Sequence, residues 1–144
     1  MGVMFISQSQ IRMLKVFILV IYGCLLIALS AFKSAELFLP TIYQLEAFFG
    51  GDKLMHLKLS IGLSYLALFA LVKTSDDVTL LSVLLRSFAV CTLLVSGLLL
   101  DELHQALVST RRFEWWDLAY GMAGIGIGFV VYILGFLLRV TIKR

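Results

Sequence analysis

The sequence predicts an all-α polytopic membrane protein: an antiparallel bundle of four transmembrane helices, with a short interfacial segment after the first. Three features predict it. Of 144 residues, 61% are hydrophobic and mean hydropathy is +1.02, far above the range of a soluble domain. The apolar residues gather into four runs, each long enough to cross about 30 Å of hydrocarbon. Short polar segments join the runs, and short connections make neighbouring helices antiparallel. With one proline and 15% charged residues there is little material for linkers, so residues 1–144 read as a single domain. The net charge of +3 is small and the basic residues lie at span ends, which argues against nucleic acid as a partner.

Taken in order, residues 1–13 include Ser7, Gln8, Ser9, Gln10 and Arg12 and read as a polar tail. The first span covers 14–32. A signal peptide is the competing reading, but the apolar run is longer than a signal core and Phe32-Lys33 offers no small-residue cleavage site. Residues 33–51 form a loop in which Pro40 opens a short interfacial helix, with Ile42, Leu45, Phe48 and Phe49 near one face. Gly50-Gly51 ends it, and Asp52 falls where a helix N-cap is expected.

The second span covers 54–72. Its opening carries Lys53, His56 and Lys58, of which Lys58 points away from the others and snorkels. A polar turn around Ser75-Asp76-Asp77 leads to the third span, 80–100, where Arg86 lies near enough to the interface to snorkel. A densely charged stretch from Asp101 to Asp117 precedes the fourth span, 118–138. That span holds Gly124 and Gly128 as a small-xxx-small pair, with Gly121 and Gly135 extending the face. Such a face packs tightly against another helix, either in this chain or in a second copy or membrane partner through Gly121, Gly124 and Gly128. Cys24 and Cys91 sit inside apolar runs without ligand-spaced neighbours and read as buried free thiols.

Basic residues flank one set of span ends (Arg12, Lys15, Lys73, Arg86, Arg139, Lys143, Arg144) more heavily than the other (Lys33, Lys53, Lys58, Arg111, Arg112). The positive-inside rule then puts both termini in the cytoplasm. Whichever way the chain is oriented, four spans bring the start of the second helix, the end of the third and the start of the fourth to one membrane face. Asp52, Lys53 and His56 therefore stand level with Asp101, Glu102 and Gln105, and with Arg111 and Asp117. At 100° per residue Asp52, His56 and Ser60 share a helix face, and Asp101, Glu102 and Gln105 fall within about one quadrant, with His104 outside it.

Plain structural roles account for part of this set. Asp52 suits a cap, Glu114 and Asp117 suit a helix N-terminus, and Trp115-Trp116 suit an aromatic belt. His56, Glu102, Gln105 and Arg111 are the residues that such roles explain least.

Several of these residues carry a family resemblance. Asp52-Lys53-Leu54-Met55-His56 resembles the D-K-x-x-H that opens the second helix of VanZ-like membrane proteins. Glu102-Leu103-His104-Gln105 resembles their E-x-x-Q, Arg111 followed by Asp117 their R-x5-D, and Gly124 with Gly128 their glycine pair. The resemblance covers roughly residues 14–138. It departs from the family pattern at Gly121, where an asparagine is usual. It implies a small envelope protein of the bacterial cytoplasmic membrane, in a family whose founding member is linked to low-level resistance to the glycopeptide teicoplanin.

Three functions fit the residues. The first is a headgroup site at the outer interface made of Asp52, Lys53, His56, Glu102, Gln105, Arg111 and Asp117, for a lipid-linked cell-wall precursor, a phospholipid or a glycopeptide. The second is a membrane enzyme with His56 or Glu102 as general base and Arg111 stabilising negative charge, although no nucleophile stands out. The third is a structural or accessory subunit whose polar cluster clamps helix ends. No residue spacing calls for a cofactor, and a metal site built from Asp52, His56, Asp101 and Glu102 lacks a specific ligand motif.

Overall fold

A computed structural model describes residues 7–74, 78–109 and 111–142. The Ser75-Asp76-Asp77 turn, Thr110, the start of the N-terminal tail and the terminal Lys143 and Arg144 lie outside the described residues. The described residues form five helices and no strand: α1 (Gln8–Ser34), α2 (Leu39–Phe49), α3 (Asp52–Leu71), α4 (Leu80–Ala106) and α5 (Trp115–Ile142). Among them α1, α3, α4 and α5 are long and apolar enough to cross a membrane. Their outer faces carry large exposed apolar side chains such as Phe17, Ile27, Phe88, Leu93 and Leu138. Surfaces of this kind are stable in hydrocarbon rather than water. The chain is a helical membrane bundle.

The helices run further than the apolar runs do. Residues 8–13, expected to be tail, belong to α1 because Ser7 starts it with a capping box: its hydroxyl accepts from Gln10 N, and its own N–H donates to Gln10 Oε1 at 2.8 Å. At the far end α4 continues through the charged residues to Ala106, since nothing in Asp101–Gln105 breaks a helix. The interfacial helix α2 is present, with Pro40 in its first turn. Ile42 is buried on the bundle, but Phe48 is 83% exposed and does not share that face. Asp52 is not the cap of α3. Gly51 holds that position with φ +109°, a region open to glycine, and Asp52 becomes the first helical residue with its carboxylate free for other partners.

The bundle is built around α3 and α5. Gly124 and Gly128 let them approach closely: a Cβ at Gly124 would stand 2.8 Å from Ser60 Cβ, and one at Gly128 2.8 Å from Ile61 O. Gly121 faces Leu98 of α4 in the same way. The glycine seam therefore lies within the chain. Gly135 meets nothing within 4 Å and is not part of it. Below the seam Leu68, Val72, Val83 and Tyr132 form the apolar core.

The first helix leans on α3 through Tyr22, whose hydroxyl donates to Leu59 O at 3.0 Å and lies where a Cβ on Gly62 would stand, 2.8 Å away. Thus α1 packs on α3 and α4 packs on α5, while α1 and α4 scarcely touch. Both cysteines are free, but Cys24 is exposed on the bundle surface and Cys91 is only partly covered.

Candidate functional site

The end of the bundle where α1 stops, α3 begins, α4 stops and α5 begins gathers the charged residues. Two groups meet there. In the first, Lys33 at the end of α1 reaches Asp52 on α3 at 2.8 Å and Glu46 on α2 at 2.5 Å. This one ammonium ties the interfacial helix to two membrane helices. Lys53, next along α3, bonds both Glu114 and Asp117 at the start of α5. His56 lies one turn deeper, between the carboxylates, with Nε2 3.7 Å from Asp52 and 3.9 Å from Asp117. Lys58 does not simply snorkel: it donates to Phe49 O at 2.8 Å, satisfying a carbonyl at the C-terminus of α2.

The second group surrounds the end of α4. Gln105 donates to Asp101 at 2.8 Å, while its carbonyl accepts from Arg111. Asp101 also accepts from Ser30 on α1 at 2.9 Å, a bridge across the gap between α1 and α4. Glu102 is fully buried. It lies within 3.5 Å of the Gln105 amide and of the backbone N–H of Glu114, so it joins α4 to the segment that starts α5. Glu114 links the two groups, because its side chain holds Lys53 while its backbone faces Glu102.

All seven residues singled out from the sequence are in this region, in two roles. Glu102 and Asp117 are buried and hold helix ends together. His56, Gln105 and Arg111 line a cavity. Lys53 is fully occupied by acids and is not a free cation. The residues missed were Ser30, Lys33 and Glu46, and Asp101, placed in the cluster from the sequence, was not among the seven ligand contacts. Counting spans already puts the end of α1 on this face, so Ser30 and Lys33 had a signal, whereas Glu46 required knowing how α2 folds back. Trp115 and Trp116 are 73% and 69% exposed at this level, as an interfacial belt requires.

The cavity has a volume of about 350 Å³. Its polar mouth is formed by Ser30, Lys33, His56, Asp101, Gln105 and Arg111. Below them it is a slot lined by leucines of α1, α3 and α4, among them Leu26, Leu63, Leu94 and Leu98. Ile27 and Leu93, on its lining, are 71% and 72% exposed, so the slot opens sideways between α1 and α4. Gly23 and Gly97 keep it wide, since neither has a neighbour within 4 Å of a Cβ position. At the mouth Arg111 Nη1 is buried with no hydrogen-bond partner among the described residues. A buried guanidinium N–H left this way calls for an acceptor beyond the described residues.

A metal has a poorer claim. Asp52, His56 and Asp117 bring ligand atoms within 4.8 Å of one another. Each carboxylate already bonds a lysine, so an ion there has to displace Lys33 and Lys53. Asp101 and Glu102 belong to the other group and do not join that trio. Comparison with protein-family models, with curated proteins and with solved structures finds no match.

Proposed function

We propose that this protein binds an amphiphile, with the headgroup at the polar mouth and one chain in the slot between α1 and α4. The observation that carries the reading is the continuity of the cavity. A mouth with an Arg111 N–H that has no partner among the described residues leads without a break into an apolar slot that opens between α1 and α4. A soluble ligand has no use for the slot, and a bare hydrocarbon has none for the mouth. Arg111 offers a donor to a phosphate, carboxylate or carbonyl oxygen. Asp101 and His56 offer acceptors or donors to hydroxyl or amide groups. A lipid-linked cell-wall precursor, a phospholipid and an acylated glycopeptide share this chemistry.

The resemblance to VanZ-like proteins supports the same reading, with the protein in the bacterial cytoplasmic membrane, its termini in the cytoplasm and the site at the outer interface. Gly121 stands where that family usually has asparagine. It packs on Leu98, so the position serves the helix seam here.

A second reading, a clamp that only holds helix ends, is favoured by the burial of Glu102 and Asp117. One experiment separates the two. The full chain is purified in mild detergent, its retained lipids are identified by mass spectrometry, and Arg111→Gln is treated in parallel with its thermal stability recorded. The amphiphile reading expects one defined class of lipid retained by the wild type and lost from a variant that melts near the wild-type temperature. Retention of bulk lipid alone, equal in both proteins, supports the clamp.

A further inference from the structure

The opposite end of the bundle carries a second concave surface, and among the described residues its charge is of one sign. The start of α1, the end of α3, the start of α4 and the end of α5 enclose a cavity of about 830 Å³. Arg12, Lys15, Lys73, Arg86 and Arg139 line it, and among the described residues no aspartate or glutamate does. Among the described residues none of these five makes an ion pair with a carboxylate. The one close partner is aromatic: Lys15 Nζ stands 3.7 Å from the centroid of the Phe69 ring.

Helix dipoles explain only part of this. Lys73 follows α3 and Arg139 lies in the last turn of α5, where the negative end of the dipole favours a cation. Arg12 and Lys15 lie in the second turn of α1 and Arg86 in the second turn of α4, where there is no such gain. A general excess of basic residues on one membrane face does not require them to converge on one concavity either. Like charges around a hollow repel, and the repulsion is relieved by an anion held between them. The site lies at the ends of four helices long and apolar enough to cross a membrane, and lipid phosphates gather at such ends. Phe69, Leu71 and Phe136 on the lining give apolar cover for the chains below such a phosphate.

We propose that this basic cavity binds the phosphate headgroup of an anionic phospholipid. The site is separate from the amphiphile site and does not depend on it. Asp76 and Asp77, in the connection between α3 and α4, lie outside the described residues, so their replacement belongs in the test.

The full chain in zwitterionic detergent is titrated with phosphatidylglycerol, phosphatidylcholine and inorganic pyrophosphate, with binding read by native mass spectrometry. Saturable binding of phosphatidylglycerol is expected, with phosphatidylcholine and pyrophosphate far weaker. The triple variant R12Q/R86Q/R139Q is expected to lose roughly a hundredfold in affinity for phosphatidylglycerol. The charge-keeping variant R12K/R86K/R139K stays within a few-fold of wild type, which separates lost charge from lost fold. D76N/D77N binds as tightly as wild type or more so. Pyrophosphate binding as tightly as the lipid makes the ligand a soluble anion and overturns the lipid assignment. Equal binding of the two lipids, an unchanged affinity in the glutamine variant, or weaker binding in D76N/D77N overturns the site.

Discussion

The two ends of this bundle treat charge in opposite ways. At the end that holds the candidate site, Lys33 and Lys53 each bond two carboxylates, and those bonds cross between α1, α2, α3 and α5. At the other end five cations face one hollow and none has a carboxylate partner among the described residues. Among the described residues the first arrangement is closed on itself apart from one guanidinium N–H and a slot. The second is open. Paired charges hold helices in place, and unpaired charges of one sign hold nothing until an anion arrives. The acidic end is therefore expected to contribute to stability, and the basic end to depend on what the membrane supplies.

Substitutions can break this contrast, and they rank by expected effect. Gly128→Leu acts on the seam between α3 and α5, on which both ends depend. Its side chain meets Ile61 O and Ser64, and the loss is about 3 kcal/mol, at the upper end for overpacking. Thermal melting in detergent should show both ends failing together. Asp117→Ala leaves Lys53 with Glu114 and the longer 3.7 Å contact to Asp52, and removes a nearly buried carboxylate, for a loss of about 2 kcal/mol. Ser30→Ala removes its side-chain hydrogen bond to Asp101, which bridges α1 and α4, for a loss of about 1 kcal/mol. Arg86→Gln or Arg139→Gln, at the open end, changes the melting free energy by less than about 0.5 kcal/mol when no anionic lipid is present. If the arginine variants destabilise as much as Asp117→Ala under those conditions, the two ends do not differ in the way described.

The fold was largely legible. Four apolar runs and short connections determine four spans, and span counting alone put residues of α3, α4 and α5 at one depth. Helix ends were less legible. Ser7 with Gln10 starts α1 among residues that look like a tail, and α4 keeps its helix through Asp101–Gln105 because no residue there breaks a helix, polar though they are.

Within the candidate site, residue types pointed to the end of the bundle where these side chains gather but not to the partners they take. Asp52 looked like a cap, yet Gly51 takes that place and frees the carboxylate for Lys33. Lys53 looked like a ligand contact, yet two acids of the α5 start occupy it. Which partner a charged side chain takes depends on helix rotation and on where α2 folds, and a single sequence carries little of either. The slot was not legible at all. It exists because α1 leans on α3 through Tyr22 and Gly62 instead of packing on α4.

The slot gives the most direct test. A phospholipid carrying a photoreactive diazirine in one chain is incorporated with the protein into bilayers and irradiated, and the labelled residues are mapped by mass spectrometry. Labelling is predicted at Leu26, Leu63, Leu94 and Leu98, which line the slot, in addition to outward residues such as Phe17 and Leu138. Gly97→Phe, which fills open space in the slot, is predicted to abolish the first set and leave the second unchanged. Labelling confined to outward-facing residues, or slot labelling that survives Gly97→Phe, would contradict an amphiphile chain lying between α1 and α4.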